Sequence, residues 1–174
     1  MQVLIGYCSS QGQTRKVARF IMSHIARQGH GVEMLELKNN TDIDVSQYDR
    51  VVLAASVHVG QYQRVLTDFI AAHTKLLNTL PSLFVSVSLV AAGHDADDWR
   101  ELDKIVDDLS EATAWQPNST IQVAGAYSPS QYDIFTRFIM RRIIAKREPE
   151  RNLDEDHEYT DWDKLRETVD AWLK

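Results

Sequence analysis

The chain has one cysteine, Cys8, in 174 residues. That excludes an intrachain disulfide framework and is compatible with a reducing compartment. Long apolar runs are also missing. The most apolar stretch, "SLFVSVSLVAAG" from Ser82 to Gly93, is far short of the roughly 20 residues a membrane-spanning helix needs, and no basic segment leads into an apolar one at the N-terminus. The chain therefore reads as soluble or peripheral. Positive charge is the minority sign, 19 Lys and Arg against 25 Asp and Glu for a net charge of -6, which argues against general affinity for nucleic acid. The six histidines show no His-Glu-x-x-His or related spacing, so no metal site is expected. The acids in "HDADD", His94 to Asp98, read as ordinary partners of a helix N-terminus.

What is present is an alternation of short apolar runs with segments of helical period, and no repeat or low-complexity linker. With 44% hydrophobic residues the chain suits one domain over residues 1–174. "VLIGY" (Val3 to Tyr7) reads as a buried strand, followed by a helix from about Thr14 with Val17, Ala18, Ile21, Met22 and Ile25 on one face. "VEMLEL" (Val32 to Leu37) alternates as an edge strand does, and "RVVLAASV" (Arg50 to Val57) suits a central parallel strand. A helix from about Tyr62, a strand "LFVSVSLV" (Leu83 to Val90), a helix carrying Trp99 to Leu109, a strand "TIQVAGAY" (Thr120 to Tyr127) and a last helix with Trp162, Leu165, Val169 and Trp172 complete the pattern. Strands alternating with helices predict an α/β fold, a doubly wound five-stranded parallel sheet of order 2-1-3-4-5 with helices on both faces. About thirty residues, roughly 128–159, exceed what a compact connection needs before the last helix.

The stretch "YCSSQGQTR" (Tyr7 to Arg15) puts a hydroxyl-rich loop between the first strand and the first helix. It is not a nucleotide P-loop, because Gly6 and Gly12 are separated by five residues and Gln13 stands where the lysine belongs. It also departs from the loop of a low-molecular-weight tyrosine phosphatase. Arg15 follows Cys8 after six residues, Lys16 comes next, and no Asp-Pro pair exists. Cys8 reads instead as a small, half-buried apolar residue at a strand end. A third reading remains, the phosphate of flavin mononucleotide (FMN). Ser9, Ser10, Gln11, Gly12, Gln13 and Thr14 offer hydroxyls, a close-approaching glycine and helix N-terminal amides, which bind a dianion without lysine. The loop alone leaves open a plain turn with no ligand. In a doubly wound sheet the loops after the third and fourth strands would flank a ring bound at the switch point. They read "SVHVGQY" (Ser56 to Tyr62), with His58 and Tyr62 as ring neighbours and Gly60 for close approach, and "SLVAAG" (Ser88 to Gly93). For His58 a plain solvent-facing role stays equally open.

"CSSQGQTRKVA", "YDRVVLAASVHVGQY", "LPSLFVSVSLVA", "AGAYSPSQYDIFTRFIMRRI" and "YTDWDKL" resemble, in order and spacing, the flavodoxin-like, menaquinone-dependent protoporphyrinogen IX dehydrogenase family, the bacterial protoporphyrinogen oxidases. The resemblance implies a flavodoxin-like fold holding FMN and oxidation of protoporphyrinogen IX to protoporphyrin IX late in haem synthesis. It also implies electron delivery to a respiratory quinone, menaquinone or ubiquinone. By the family pattern Ser9 to Thr14 would hold the phosphate. Ser56, Val57, His58, Val59, Gly60, Gln61 and Tyr62, with Ser86, Val87, Ser88, Leu89 and Val90, would cradle the isoalloxazine. The flavin carries the redox chemistry, so no side chain is assigned a catalytic role. The chain departs from that pattern at the rim of the site. His58 and Val59 stand where an Arg-Tyr pair is common, and "GHDADDWRELDKIVDD" replaces a basic stretch. An electron carrier of flavodoxin type, or a quinone reductase without porphyrinogen activity, is the competing expectation.

Charge segregates in the long segment. Tyr132 to Arg147 holds Arg137, Arg141, Arg142, Lys146 and Arg147 against one acid, Asp133, whereas the next sixteen residues hold eight acids and one Arg. Two expectations follow. One is a basic helix resting on anionic lipid at the inner face of the cell membrane, the protein being otherwise cytoplasmic. The other has the basic positions scattered around the helix, with Ile134, Phe135, Phe138, Ile139 and Ile143 packed on the domain or on a second copy in a homo-oligomer.

Overall fold

Alternation within the first strand fixes the layers. In the computed structural model, which describes residues 1–39, 42–131 and 134–174, β1 runs Gln2–Cys8. Val3, Ile5 and Tyr7 bury on one side of it, Leu4 and Cys8 on the other, as the two-residue period of a strand requires. The first side is covered by α1 (Gln13–Arg27) and α5 (Trp162–Leu173), the second by α2 (Arg64–Leu77) and α3 (Ala96–Thr113). The strands are β2 (Gly31–Glu36), β3 (Arg50–Ser56), β4 (Ser82–Ser88) and β5 (Ser119–Ala124). All pair in parallel in the order β2-β1-β3-β4-β5, as the sequence pattern predicts. The chain leaves β1 toward one edge and returns past it to β3, so the loops at their carboxyl ends diverge and open a crevice there.

Close packing supports that arrangement. A Cβ on Gly6 would lie 2.9 Å from both Leu37 Cδ2 and Leu53 Cδ2, so a larger residue would force these buried leucines to shift. Phe84, fully buried, takes Tyr62 on one edge at 5.2 Å between ring centroids and Trp115 on another at 5.7 Å.

Several expected boundaries move: the fourth strand, expected over Leu83 to Val90, ends at Ser88, and the helix expected from about Tyr62 starts at Arg64. Leu37 has left β2 and starts a short 3-10 turn. The expected fifth strand, Thr120 to Tyr127, is two strands. At Gly125 the chain turns, its amide donating to Ser88 O at 2.9 Å and its carbonyl accepting from Tyr159 N at 3.0 Å. Beyond it β6 (Ala126–Tyr127) pairs antiparallel with β7 (His157–Glu158) as a separate ribbon. An apolar run records burial, not the partner strand, so the sequence pattern does not mark the break.

Between β6 and β7 lies α4 (Ile134–Arg147), the basic helix expected before the last one. Its buried Ile144 joins Tyr127 in a small cluster flanked by Leu89, Met140, Leu153 and Tyr159. Tyr132, Asp133 and the side chains of Ile134, Phe135 and Ile139 lie outside the described residues. Among the described residues no helix is long and apolar enough to cross a membrane.

Candidate functional site

The helix starts separate the site from the rest of the molecule. Asp95 caps α3 by accepting from Asp97 N at 2.8 Å and Asp98 N at 3.2 Å, and Asp161 caps α5 by accepting from Lys164 N at 2.9 Å. The acids of "HDADD" are thus helix-terminus partners. By contrast α1 and α2, which follow β1 and β3, begin at Gly12 and Gln63 without a side-chain cap and without an acid in the first turn. Uncapped amides and an unopposed helix dipole favour an anion.

The loop before α1 is shaped accordingly. Gly12 sits at φ 91°, and nothing lies within 4 Å of where its Cβ would be, so its backbone faces open space. Ser9 Oγ accepts from Gly12 N at 3.0 Å, Ser10 Oγ accepts from Gln63 Nε2 at 2.7 Å, and Thr14 is buried. Gln11 is half-buried beside them. Gln13 points elsewhere, its amide donating to Glu158 Oε2 at 3.1 Å and Thr160 Oγ1 at 2.9 Å. Lys16 also pairs with Glu158. Burial works against the Glu158 carboxylate, yet Lys16, Trp162 and Gln13 hold it below the ordinary range. Glu158 and Thr160 are the residues that sequence reasoning missed. The only signal was their place in or beside the "YTDW" motif.

Cys8 is fully buried at the end of β1, and burial, with Glu36 adding to it, pushes the thiol up to about 12. A thiol at that value is not a nucleophile. This agrees with an apolar role and makes the residue more enclosed than half-buried.

The loop after β3 is a tight hairpin. Its ends are tied by His58 N to Gln61 O at 2.7 Å and Gln61 N to His58 O at 3.0 Å, and Val57 N reaches Val87 O at 2.9 Å. Val59 at φ 48° and Gly60 at φ 72° form its tip, the mirror-image turn that hairpins favour. A β-branched residue at positive φ is strained, and Val59 is fully exposed. His58 and Gln61 are exposed as well. Beneath them Tyr62 donates to Ser86 Oγ at 2.8 Å, and burial outweighs that bond and pushes the phenol up to about 12. Ser56 Oγ is buried with no hydrogen-bond partner among the described residues, an orphan that a bound polar edge would satisfy. After β4, Ser88 Oγ accepts from Ala91 N at 3.1 Å, and Leu89 and Val90 begin the turn toward α3.

The crevice thus gathers the three predicted loops at the carboxyl ends of β1, β3 and β4. A cavity of about 320 Å³ lined by Arg64, Val65, Asp68, Phe69, Ala72 and His73 lies along α2 instead, so cavity size does not mark this site.

Residues 4–154 match the family described as Flavodoxin domain. The chain belongs to that family. Flavodoxin domains hold FMN, and the uncapped α1, open Gly12 and orphaned Ser56 Oγ suit it, so this chain is an FMN flavoprotein. It is 27% identical over 165 residues to a protein named protoporphyrinogen IX dehydrogenase [quinone] from Escherichia coli K12, covering 95% of this chain and 91% of the relative. A Leishmania major protein of the same name is 25% identical over 171 residues, covering 94% and 71%. Oxidised Flavodoxin 1 from Bacillus cereus shares the fold, with a TM-score of 0.57, 12% identity and coverage of 99% and 97%.

Proposed function

We propose that this FMN-dependent oxidoreductase converts protoporphyrinogen IX to protoporphyrin IX in haem synthesis and passes the electrons to a respiratory quinone, menaquinone or ubiquinone. In this reading Ser9, Ser10, Gly12, Thr14 and the first amides of α1 hold the phosphate. Gln13 braces the loop from behind, and Ser56 to Tyr62 with Ser86 to Val90 flank the ring. FMN, when bound, takes hydrogen equivalents from one partner and yields them to the other. The chain orients the ring and shields one side of it. Hydrogens leaving the porphyrinogen depart as electrons and protons, and the quinone takes up the same to become quinol.

The observation that carries this reading is where the long segment lies. Its ribbon touches the phosphate loop through Glu158, and the end of α4 touches the turn after β4 through Arg147. An enzyme for a tetrapyrrole needs such a surface beside the flavin, whereas a shuttle needs only an exposed ring edge. The names carried by relatives over nearly the whole chain support the same substrate and acceptor class. The net charge of -6 favours a carrier docking on a basic partner.

Rapid mixing of FMN-loaded protein with anaerobic protoporphyrinogen IX separates the two readings. The enzyme predicts bleaching of the flavin absorbance with porphyrin formation. A flavin that stays oxidised with porphyrinogen and is reduced by dithionite fits the carrier.

A quinone is lipid-borne, and α4 carries a contact suited to a membrane. Arg137 and Arg141 are occupied, by Pro129 O at 3.1 Å and Asp154 Oδ1 at 2.7 Å. Phe138, with Arg142 over its ring at 5.8 Å, and Lys146 one turn on are exposed, as is Arg137. Replacing Arg142 and Lys146 by Gln should reduce binding to vesicles containing phosphatidylserine, and unchanged binding would count against membrane contact.

A further inference from the structure

Arg147, the last residue of α4, lies across the turn that follows β4. Its Nη1 donates to Leu89 O at 3.3 Å and to Val90 O at 3.0 Å, while Nη2 meets Asp98 Oδ2 at 2.6 Å. The same two carbonyls also accept from within the turn, Leu89 O from Ala92 N and Val90 O from Gly93 N. Trp99 Nε1 holds Gly93 O at 2.9 Å. Glycine at position 93 leaves the guanidinium room, since a Cβ there would lie 3.1 Å from Nη1. The amides of Leu89 and Val90 have no hydrogen-bond partner among the described residues.

We propose that Arg147 is a positioning residue for the flavin: by gripping the Leu89 and Val90 carbonyls it fixes the free amides of that turn as donors to the ring, and so raises the flavin's reduction potential. A cation on a carbonyl polarises the N–H of the next residue, so the grip on Leu89 O strengthens the Val90 amide as a donor. The grip on Val90 O acts on Ala91 N, which Ser88 Oγ already holds, and the Leu89 amide is fixed in place only. Donors held in place favour the reduced ring, which carries the greater negative charge. Asp98 partly offsets that charge from the far side of the guanidinium. The inference rests on the reading that Ser86 to Val90 flank the ring, and it adds a residue from outside the flavodoxin-like sheet. The sequence conceals this, because 57 residues separate Arg147 from Val90.

The test is the two-electron midpoint potential of FMN-loaded variants, read with the FMN dissociation constant and the melting temperature. Arg147→Gln is expected to bind reduced FMN about tenfold less tightly relative to oxidised FMN, a fall of about 30 mV. Arg147→Lys keeps the charge and a donor and recovers most of that fall. Asp98→Asn removes the offsetting charge and shifts the potential upward. Unchanged potential in Arg147→Gln, or a fall in both Arg147→Gln and Asp98→Asn, overturns the proposal and leaves Arg147 a structural brace. Leu89→Pro deletes one amide at a φ of -71° that proline accepts. If it changes neither potential nor FMN affinity, the reading of the loop fails. If it lowers the potential while Arg147→Gln does not, only the role of Arg147 fails.

Discussion

In the sheet, Val3, Ile5 and Tyr7 on one face and Leu4, Leu53 and Phe84 on the other are buried among residues from several elements. Among the described residues from 128 to 159 burial is thin, with Ile144 beside Tyr127 and a half-buried fringe. That segment is fixed instead by polar contacts at chosen points. Glu158 holds Gln13 and Lys16, Arg147 holds the Leu89 and Val90 carbonyls, Tyr127 OH donates to Leu153 O at 2.8 Å, and Ser130 Oγ donates to Asp156. Apolar burial is non-directional and sets stability, whereas hydrogen bonds to charged groups set position. The sheet therefore makes the platform, and the segment is registered on it at the two loops of the site.

This contrast can be broken by substitution. Phe84→Ala should cost about 3–5 kcal/mol in urea unfolding and Ile144→Ala about 2 kcal/mol. Equal costs would show that the segment is as much a core as the sheet. Gly12→Val forces a β-branched side chain to φ 91° in the loop proposed to hold the phosphate. It should weaken FMN binding about a hundredfold, about 2.7 kcal/mol, by flavin fluorescence titration, and unaltered affinity would remove the loop from the site.

Smaller effects sharpen the comparison. Glu158→Gln should lose about 1 kcal/mol near neutral pH, since the pair with Lys16 is partly exposed. The folded Glu158 value lies below its ordinary value. Its contribution is therefore complete above the ordinary carboxylate range and is lost as pH falls through the lowered value. Melting curves of wild type and variant should converge in acid, and a constant gap would place the effect in packing. Tyr62→Phe, which removes the donor to Ser86, should cost about 1 kcal/mol while leaving the segment's polar contacts untouched.

The two regions also differ in how much of them the sequence discloses. Continuous apolar runs such as "VVLAA" and "LFVSV" reveal parallel strands because burial on both faces leaves no alternation to misread, whereas the hydroxyl-rich loop around Gly12 offers the residue types of an anion loop that, taken alone, equally suit a plain turn. The break at Gly125, the ribbon and the reach of Arg147 stay hidden. Each depends on a partner far along the chain, and the pattern of α4 does not concentrate its apolar residues on one stripe. The basic residues illustrate the limit. Five look equivalent in sequence, and the structure gives Arg137, Arg141 and Arg147 contacts within the chain, while Arg137, Arg142 and Lys146 are all exposed.

The most direct measurement is anaerobic turnover. FMN-loaded protein is incubated with protoporphyrinogen IX and a menaquinone analogue, and porphyrin fluorescence is followed against free FMN. Quinone-dependent growth above that control is the predicted result. No growth, from protein whose FMN is tightly bound and reducible by dithionite, would contradict the account and place this chain among the electron carriers.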